Sequence, residues 1–439
     1  MNEGGNTGLI PRPFTGRGFF LPYRGYRKVD DMFELLKRNR NFRIFFEASC
    51  ISGIGDYVDD IAFSMLIYKF TESTLLTSYV FAIKMILSFV SMFTSTIVDY
   101  NNKKKILIVT SFGQGIVLFM LLFIYNTGYI STFILIVFVT IQTIFSTFST
   151  PAQNALLPLL VSDDDAITAR ASNSMFQQFI QIFSYVGSGA LITFVGISGA
   201  ILIDIVTFFA AGVLAFGIQY TEISSKRTKE MNFSQTIKEG FGFIFTSRMI
   251  IAILVVTFMG NIFASPVDTL SVAYFSNFFT EKYMYSVFMA AIAIGGIIGT
   301  WSLTRLKDRI PMNRLFALGF AVGGCGIMFM FFHHHAAFPV IAGFLYGISN
   351  GFVSIMNGVL LQINTPREMM GRVFSAFRCV SFASGPVGII AVGYLGESVA
   401  LNKIFCGLGC LLIVTAFVAL KYTAATQNMN EKNYRFTEE

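Results

Sequence analysis

Twelve stretches of about 20 mostly apolar residues run along this chain of 439 residues, and each is long enough to cross the hydrocarbon core of a bilayer as a helix. Their approximate bounds are 43–69, 75–98, 106–125, 131–150, 172–196, 199–220, 249–273, 284–304, 314–332, 338–361, 373–396 and 403–421. Only 13% of the residues are charged, whereas soluble domains carry about 25%. The mean hydropathy is +0.64. We therefore predict an all-α membrane protein with 12 transmembrane helices.

The positions of lysine and arginine predict how the helices are oriented. Of the 32 basic residues, 28 lie on one side when alternate connections are assigned to the same side, and Lys84 lies inside span two. The other side has three, namely Lys69, Lys282 and Lys403. Connections rich in lysine and arginine stay in the cytoplasm. We therefore expect a multi-pass protein of the plasma membrane with both termini in the cytoplasm.

The longest internal connection, about residues 221–248, divides the spans into two sets of six. The two sets also resemble each other, because Arg170 before span five and Arg372 before span eleven stand in similar acidic-to-basic segments. Paired helical repeats that enclose a site near the midplane are typical of secondary transporters. The predicted organisation is a basic N-terminal tail with a short interfacial helix (1–41), a first bundle (42–220), a central loop (221–248), a second bundle (249–421) and a C-terminal tail (422–439).

Span one carries three acids, Asp56, Asp59 and Asp60, near its middle. A charge at that depth is costly unless it is paired, protonated or hydrated. Asp56 and Asp60 share a helical face because they are four residues apart. Lys84 lies at a similar depth in span two, so it can pair with Asp59 or Asp60. Three acids against one lysine predict a proton-coupling site, and the alternative is a static ion network that stiffens the two helices.

Further polar residues in apolar spans are candidates for lining a substrate cavity. Asp268 in span seven lies in the second set at a place that corresponds to Asp60 in the first. The amides singled out as candidates are Gln142, Asn261, Asn350, Asn357 and Gln362. We predict a substrate cavity from Asp268, Gln142, Asn261, Asn350 and Asn357. The alternative for each amide is a hydrogen bond between helices.

Several sequence segments in fixed order resemble one known family. They are RNFRIFF and GDYVDDIAF in span one, VDYNNKKKIL after span two, STPAQNALLPLLV after span four, DIVTFF in span six, KEGFGFIF before span seven and TPREMMGRVFSAF before span eleven. Over about residues 38–421 the chain thus resembles the major facilitator superfamily, and within it the drug-efflux branch that contains macrolide exporters and the enterobactin exporter. The resemblance implies two pseudo-symmetric six-helix bundles and export by alternating access. It also implies that Asp204 of span six is structural.

The connection after span two resembles the signature loop of that superfamily. Asp99, Lys103 and Lys104 match the acidic and basic positions of the signature. The resemblance implies that these three residues, together with Arg170 and Arg372, form a gate on the cytoplasmic side.

Other motifs favour structural interpretations. Gly343, Gly347 and Gly351 in span ten, and Gly295 and Gly299 in span eight, are typical of close helix packing. The GxSxG pattern at 347–351 lies within a span without a preceding strand, so a hydrolase elbow is not expected. The histidines 333–335 lie in a connection, and the five cysteines form no metal-ligand motif. No phosphate-binding loop is present, so we expect no cofactor, no metal and no enzymatic activity.

Together these features predict a secondary active transporter that exports small amphipathic or hydrophobic compounds, by proton antiport with alternating access. The expected partners are a small-molecule substrate, protons and the lipid bilayer, with no nucleic acid, and we expect a monomer. Two alternatives remain. The first is a uniporter or lipid translocator without proton coupling, and the second is a transport-dead membrane sensor or scaffold.

Overall fold

The computed structural model describes residues 29–220, 233–281, 283–307 and 309–435. The predicted tail residues 1–28, the central-loop residues 221–232 and the last residues 436–439 lie outside the described residues. Within the described part, all regular structure is helical, without a β-strand. This confirms the predicted all-α fold class.

Thirteen α-helices are formed by the described residues. Their bounds are Val29–Arg38 (α1), Arg40–Thr71 (α2), Thr74–Tyr100 (α3), Lys103–Thr127 (α4), Thr132–Leu156 (α5), Asp163–Phe216 (α6), Phe233–Thr246 (α7), Arg248–Phe278 (α8), Tyr283–Leu306 (α9), Met312–Met328 (α10), Ala337–Ile363 (α11), Met370–Gly396 (α12) and Leu401–Arg435 (α13). We call α2–α6 the first half and α8–α13 the second half.

The helix α6 contains two membrane spans. Gly196 interrupts its helical backbone with a φ of 71°, a left-handed conformation that glycine adopts without the steric penalty of a Cβ. By length and composition, ten of the described helices can cross a membrane. That set counts α6 once and leaves out α2, which carries the acids. With both included there are twelve spans, six in each half, as predicted.

Two prolines lie inside helices that continue past them. The helix α5 continues through Pro151 to Leu156, and α8 continues through Pro266 to Phe278. In membrane helices, neighbouring groups satisfy the backbone that proline leaves unbonded. Here the Ile262 carbonyl, which Pro266 cannot bond, packs against Gly388 of α12. The neighbouring helix therefore covers the carbonyl that Pro266 leaves unbonded.

First-half residues join the hydrophobic core of the second half only away from one end of the molecule. Val58 and Ile61 of α2 and Ile192 of α6 belong to the same buried cluster as α8–α13. At that end, where α1 and α13 terminate, Phe42 of α2 and Val98 of α3 belong to a separate cluster made of first-half residues and α1. We call this end the termini end and the other the far end. The halves therefore pack together mainly toward the far end.

In the second half, α9 and α11 approach each other at glycines. A Cβ on Gly295 or Gly347 would overlap a backbone carbonyl of the other helix, that of Phe344 or Ile292 respectively. The glycine pattern therefore serves close helix packing, as its spacing predicted.

Candidate transport site

Asp60 forms an ion pair with Lys84 inside the first half. Asp60 lies on α2, and Lys84 Nζ on α3 donates to Asp60 Oδ1 at 3.1 Å. Of the two partners that the sequence offered to Lys84, the structure selects Asp60. Both side chains remain accessible, 48% for Asp60 and 39% for Lys84, because they line a cavity.

The other two acids of α2 have different surroundings. Asp56 accepts a hydrogen bond from Ser52 Oγ at 3.4 Å and is exposed to the same cavity. Asp59 faces the second part of α6, where its carboxyl group lies beside that of Asp204. Asp204 is fully buried. Asp204 therefore lies beside the acids of span one. The sequence did not predict this contact.

A polar cavity of about 310 Å³ lies within the first half. The volume is in the range of small-ligand sites. Polar side chains reach it from helices of the first half, and aromatic rings cover part of its wall. The polar and charged members are Asp56, Tyr57, Asp59, Asp60, Ser64, Lys84, Ser88, Gln114, Gln142, Thr143, Ser146 and Gln177, and the phenylalanines are Phe63, Phe81 and Phe208.

Three glutamines line this cavity. Gln142 was predicted from the sequence; it is only 9% exposed, and its Oε1 has no donor among the described residues. Gln114 on α4 and Gln177 on α6 were missed. Both are amides within apolar spans, so the criterion that selected Gln142 would also have found them. A buried amide oxygen without a donor suits a ligand that brings an N–H or O–H group.

Asp268 and Asn350 meet at one tyrosine in the second half. Tyr346 Oη of α11 donates to Asp268 Oδ2 at 3.0 Å, and the side chain of Asn350 lies beside the same tyrosine. Neither Asp268 nor Asn350 is among the residues that line the first-half cavity. The predicted substrate-cavity residues therefore fall into two groups, one in each half.

The remaining two predicted amides connect helices. Asn261 Nδ2 on α8 donates to the carbonyl of Ser381 on α12 at 3.0 Å. Thr257 Oγ1 on α8 donates to Asn357 Oδ1 on α11 at 2.7 Å. These are the interhelical bonds that the sequence left open as the alternative to a ligand contact.

Tyr285 on α9 lies between the acids of the two halves. Its side chain lies beside Ser64 of α2 and within electrostatic range of both Asp60 and Asp268. Ser64 Oγ in turn donates to the backbone carbonyl of Asp60 at 2.6 Å. A contact therefore runs from the second half to the helix turn that holds the ion pair.

Two of the predicted gate lysines bond to backbone within the first half. Lys103 Nζ donates to the carbonyl of Asp99 at 2.7 Å, and Lys104 Nζ donates to the carbonyl of Phe216 at 2.9 Å. Lysines are favourable beside the carbonyls at a helix C-terminus. These contacts fasten the ends of α3 and α6 at the termini end.

The predicted gate arginines also belong to one half each. Arg372 at the start of α12 forms an ion pair of 2.8 Å with Glu239 of α7. Arg170 lies exposed on α6. The gate role implied by the resemblance thus stays a prediction, since none of these contacts joins the first half to the second.

Polar contacts cross between the halves at the far end. Tyr68 Oη of α2 donates to Asn277 Oδ1 of α8 at 2.7 Å. Glu397, just after α12, accepts at Oε1 from the backbone N–H of Leu75 at 2.9 Å and from the hydroxyls of Ser73 and Thr74 at the start of α3. These donors, the Leu75 N–H first, lower the pKa of Glu397 below its usual value. The carboxylate thus caps a helix of the opposite half.

Among the described residues, no group of three or more His, Cys, Asp or Glu side chains is arranged to hold a metal ion. The acids of the first half instead face a lysine, glutamines and one another. This donor set is suited to exchanging protons and binding a polar or cationic ligand.

The family model described as transmembrane secretion effector matches residues 36–438. The chain therefore belongs to that family of the major facilitator superfamily. Among its relatives, multidrug efflux pump Tap of Mycobacterium tuberculosis is 23% identical over 406 residues, which cover 88% of this chain and 95% of the relative. Macrolide efflux protein A of Streptococcus pyogenes is 23% identical over 336 residues, 73% of this chain and 80% of the relative.

Solved structures show the same fold at low sequence identity. The nucleoside transporter NupG aligns with a TM-score of 0.69 and 11% identity, covering 88% of this chain and 99% of the other. A bacterial homologue of the iron transporter ferroportin in an inward-facing state aligns with a TM-score of 0.69 and 15% identity, covering 88% and 98%. The protein is thus a transporter of major facilitator type, and the drug-efflux resemblance read from its motifs is confirmed.

Proposed function

We propose that this transporter exports small amphipathic compounds from the cell in exchange for protons. The relatives named as multidrug and macrolide efflux proteins support the direction and the class of cargo. The observation that carries the proposal is the first-half cavity, where Asp60 and Lys84 form an accessible ion pair inside a bundle of membrane spans. Ionisable groups at such a depth are rare in membrane proteins and usually serve transport.

The charges of the cavity favour a cargo with a positive group. Asp56, Asp59 and Asp60 face it, while Lys84 is the one lysine or arginine among the described residues that line it. The phenylalanines of the wall suit the apolar part of such a molecule. An amphipathic amine can therefore place its cation near Asp56 and Asp60 and its rings against the aromatic wall, with Gln142 accepting a hydrogen bond.

Transport follows from alternating access of this cavity. The halves share their core at the far end, and Glu397 and Tyr68 add polar contacts there. With both termini in the cytoplasm, as the basic residues predict, the far end is the outer side and the described state faces inward. Cargo enters from the cytoplasm, the halves rock about the cavity, and the outer contacts open. Asp268 and Asn350 would meet the cargo from the second half.

Proton coupling requires that the cargo and a proton exclude each other. A cargo cation competes with Lys84 for Asp60, and protonation of Asp60 removes the charge that holds either one. Outside the cell, a proton therefore displaces the cargo from the acid. We infer that a single chain suffices, because the described cavity is lined within one half.

The test uses the purified full-length chain in liposomes with an imposed pH gradient. Ethidium and erythromycin serve as cationic probes and chloramphenicol as an uncharged one. We expect the gradient to drive accumulation of at least one cationic probe, and Asp60→Asn to reduce it at least about tenfold. Glu281→Gln, an exposed acid at the far end, is the matched control and should leave it unchanged.

Two outcomes would contradict the proposal. Counterflow of a probe that does not respond to the pH gradient in the wild type would indicate a uniporter. If no probe moved, and cysteines introduced on the two sides showed no protection by any probe, the chain would be a sensor or scaffold instead.

A further inference from the structure

Two carboxyl groups meet where α2 packs against the second part of α6. Asp59 and Asp204 lie side by side, and Asp204 has no exposed surface. Thr207 on α6 lies beside them, with its Oγ1 3.3 Å from Asp204 Oδ1 and 2.8 Å from the carbonyl of Asp204. The pair is thus separate from the ion pair of Asp60 with Lys84, although both use neighbouring residues of α2.

Two carboxyl oxygens of this pair have no hydrogen-bond donor in the described part of the chain. Asp59 Oδ1 and Asp204 Oδ2 are both buried without a hydrogen-bond partner among the described residues. Ionised carboxylates only accept hydrogen bonds, so two of them in contact leave these oxygens unsatisfied. A protonated carboxyl has one O–H donor. One proton placed between the two groups therefore supplies the missing hydrogen bond and removes the repulsion of like charges.

The close approach of the two helices is fixed by a glycine. Gly55 lies one turn before Asp59, and a Cβ at this position would overlap Thr207 Oγ1 and Asp204 Oδ1. The backbone of α2 therefore lies directly against the Asp204 side chain. This contact keeps the two carboxyl groups together and leaves no layer of water between the helices at this point.

The surrounding charges come from three helices. Asp56 and Asp60 on α2 add negative charge, and Lys84 on α3 is the cation within electrostatic range of Asp59. On α6, Asp204 is the acid that faces Asp59, with Thr207 as its polar neighbour. Lys84 is bound to Asp60 in this state. Without a cation of its own, the pair of Asp59 and Asp204 needs a proton.

We propose that Asp59 and Asp204 form a carboxylic acid–carboxylate pair that holds one proton, and that Lys84 controls the release of this proton. The role of Lys84 rests on the proposed function. A cargo cation that binds Asp60 frees Lys84, which then pairs with Asp59. The O–H bond of the acid pair breaks, and the proton leaves to the water of the cavity. One positive charge enters and one leaves, so the charge of the site is conserved.

The acid pair is tested without any cargo. Infrared difference spectra of the purified full-length protein, titrated between about pH 5 and about pH 8, report the carbonyl stretch of protonated carboxyl groups. We expect the wild type to show this band near neutral pH. Asp59→Asn and Asp204→Asn should each lose it, because the amide donates to the remaining acid and leaves it ionised. Asp56→Asn and Asp268→Asn are the matched controls and should retain it.

A band that either Asp59→Asn or Asp204→Asn retains in folded form would overturn the acid pair. Each amide has nearly the shape of the acid it replaces, and the two variants make the same prediction, so one folded variant is enough. Size-exclusion chromatography identifies which variants are folded.

The control by Lys84 is tested with ethidium as the probe. In weakly buffered solution, ethidium binding should release about one proton from the wild type and none from Lys84→Gln, which should nevertheless keep the infrared band. Equal release from both proteins would overturn the role of Lys84. If ethidium and erythromycin both bind without proton release while the infrared results hold, proton antiport fails as the function and the acid pair stands.

Discussion

The two halves of this transporter share one helical plan but use their polar residues differently. The first half directs acids, a lysine and three glutamines into a cavity. The second half uses Asn261 and Asn357 as bonds between helices and packs α9 on α11 through glycines. This difference supports the proposal that proton coupling belongs to the first half. The second half contributes Asp268, an exposed acid that accepts a hydrogen bond from Tyr346.

The largest expected effect breaks the packing of the second half. Gly347→Val would place a Cβ into the carbonyl of Ile292 on α9, and a backbone group cannot move aside without shifting the helix. Overpacking costs about 1–3 kcal/mol and occasionally more. We expect loss of the monodisperse peak in size-exclusion chromatography. Gly358→Val on the same helix, where a Cβ meets nothing within 4 Å, should retain the peak. Equal behaviour of the two variants would contradict the packing role.

The second prediction concerns the ion pair of the first half. Breaking a buried pair costs about 3–5 kcal/mol, and we expect about 1–2 kcal/mol for Lys84→Gln because cavity water screens Asp60 and Lys84. Asp268→Asn in the second half should cost less, since the amide oxygen still accepts from Tyr346. Thermal unfolding in detergent measures both.

The double variant Asp60→Asn/Lys84→Gln sharpens this comparison. We expect it to be more stable than Lys84→Gln alone, because no uncompensated charge remains at Asp60. A double variant whose loss of stability is the sum of the two single losses would show that the pair contributes nothing in the folded state.

The third prediction separates binding from packing with two amide substitutions. Gln142→Leu removes an oxygen without a donor, so the fold should tolerate it, whereas the affinity for a transported probe should fall about five- to tenfold, or about 1–1.4 kcal/mol. Asn261→Leu removes the bond to Ser381 and should lower stability by about 1 kcal/mol without changing affinity. Probe binding and thermal unfolding are measured on both variants. A stability loss in Gln142→Leu together with an affinity loss in Asn261→Leu would contradict the prediction.

The smallest effect is expected at the far end, where the halves meet. The pKa of Glu397 is lowered by its hydrogen bonds to the start of α3, so its carboxylate stabilises the closed far end at pH values above its unperturbed pKa. That contribution is lost as pH falls through the lowered pKa. The side chain is exposed, so we expect only a few-fold change in the accessibility of a cysteine introduced nearby.

Glu397→Gln is the matched variant for this contact. It should show the higher accessibility at neutral pH and little further change in acid, because the amide does not titrate. If accessibility in the wild type were independent of pH down to strong acid, the far-end contact would not depend on the carboxylate.

Much of the fold followed from local properties of the sequence. Spans require about 20 apolar residues and basic connections alternate, so all twelve spans and the short helix before Arg40 could be predicted without tertiary information. The effect of Pro266 on α8 could not be predicted, because it depends on Gly388 of another helix, which covers the Ile262 carbonyl. A contact between helices far apart in the chain has no local signal.

The site could be predicted only where one helix carries several of its groups. The spacing of Asp56, Asp59 and Asp60 identified span one as part of the site. The similar depth of Lys84 in span two predicted that it pairs with one of these acids. The contact of Asp59 with Asp204 depends on how α6 packs on α2, which no spacing within either helix encodes. Gln114 and Gln177 carried the same signal as Gln142, and only the packing shows that all three face one cavity.

The central claim, that the acids of the first half couple cargo to protons, is tested most directly by proton flux out of liposomes driven by an ethidium gradient. The wild type should move protons against ethidium, Asp60→Asn should move none because Lys84 is then permanently free to neutralise Asp59, and Asp268→Asn should keep the flux at reduced ethidium affinity. Wild-type flux in Asp60→Asn, or its loss in Asp268→Asn alone, would contradict the claim.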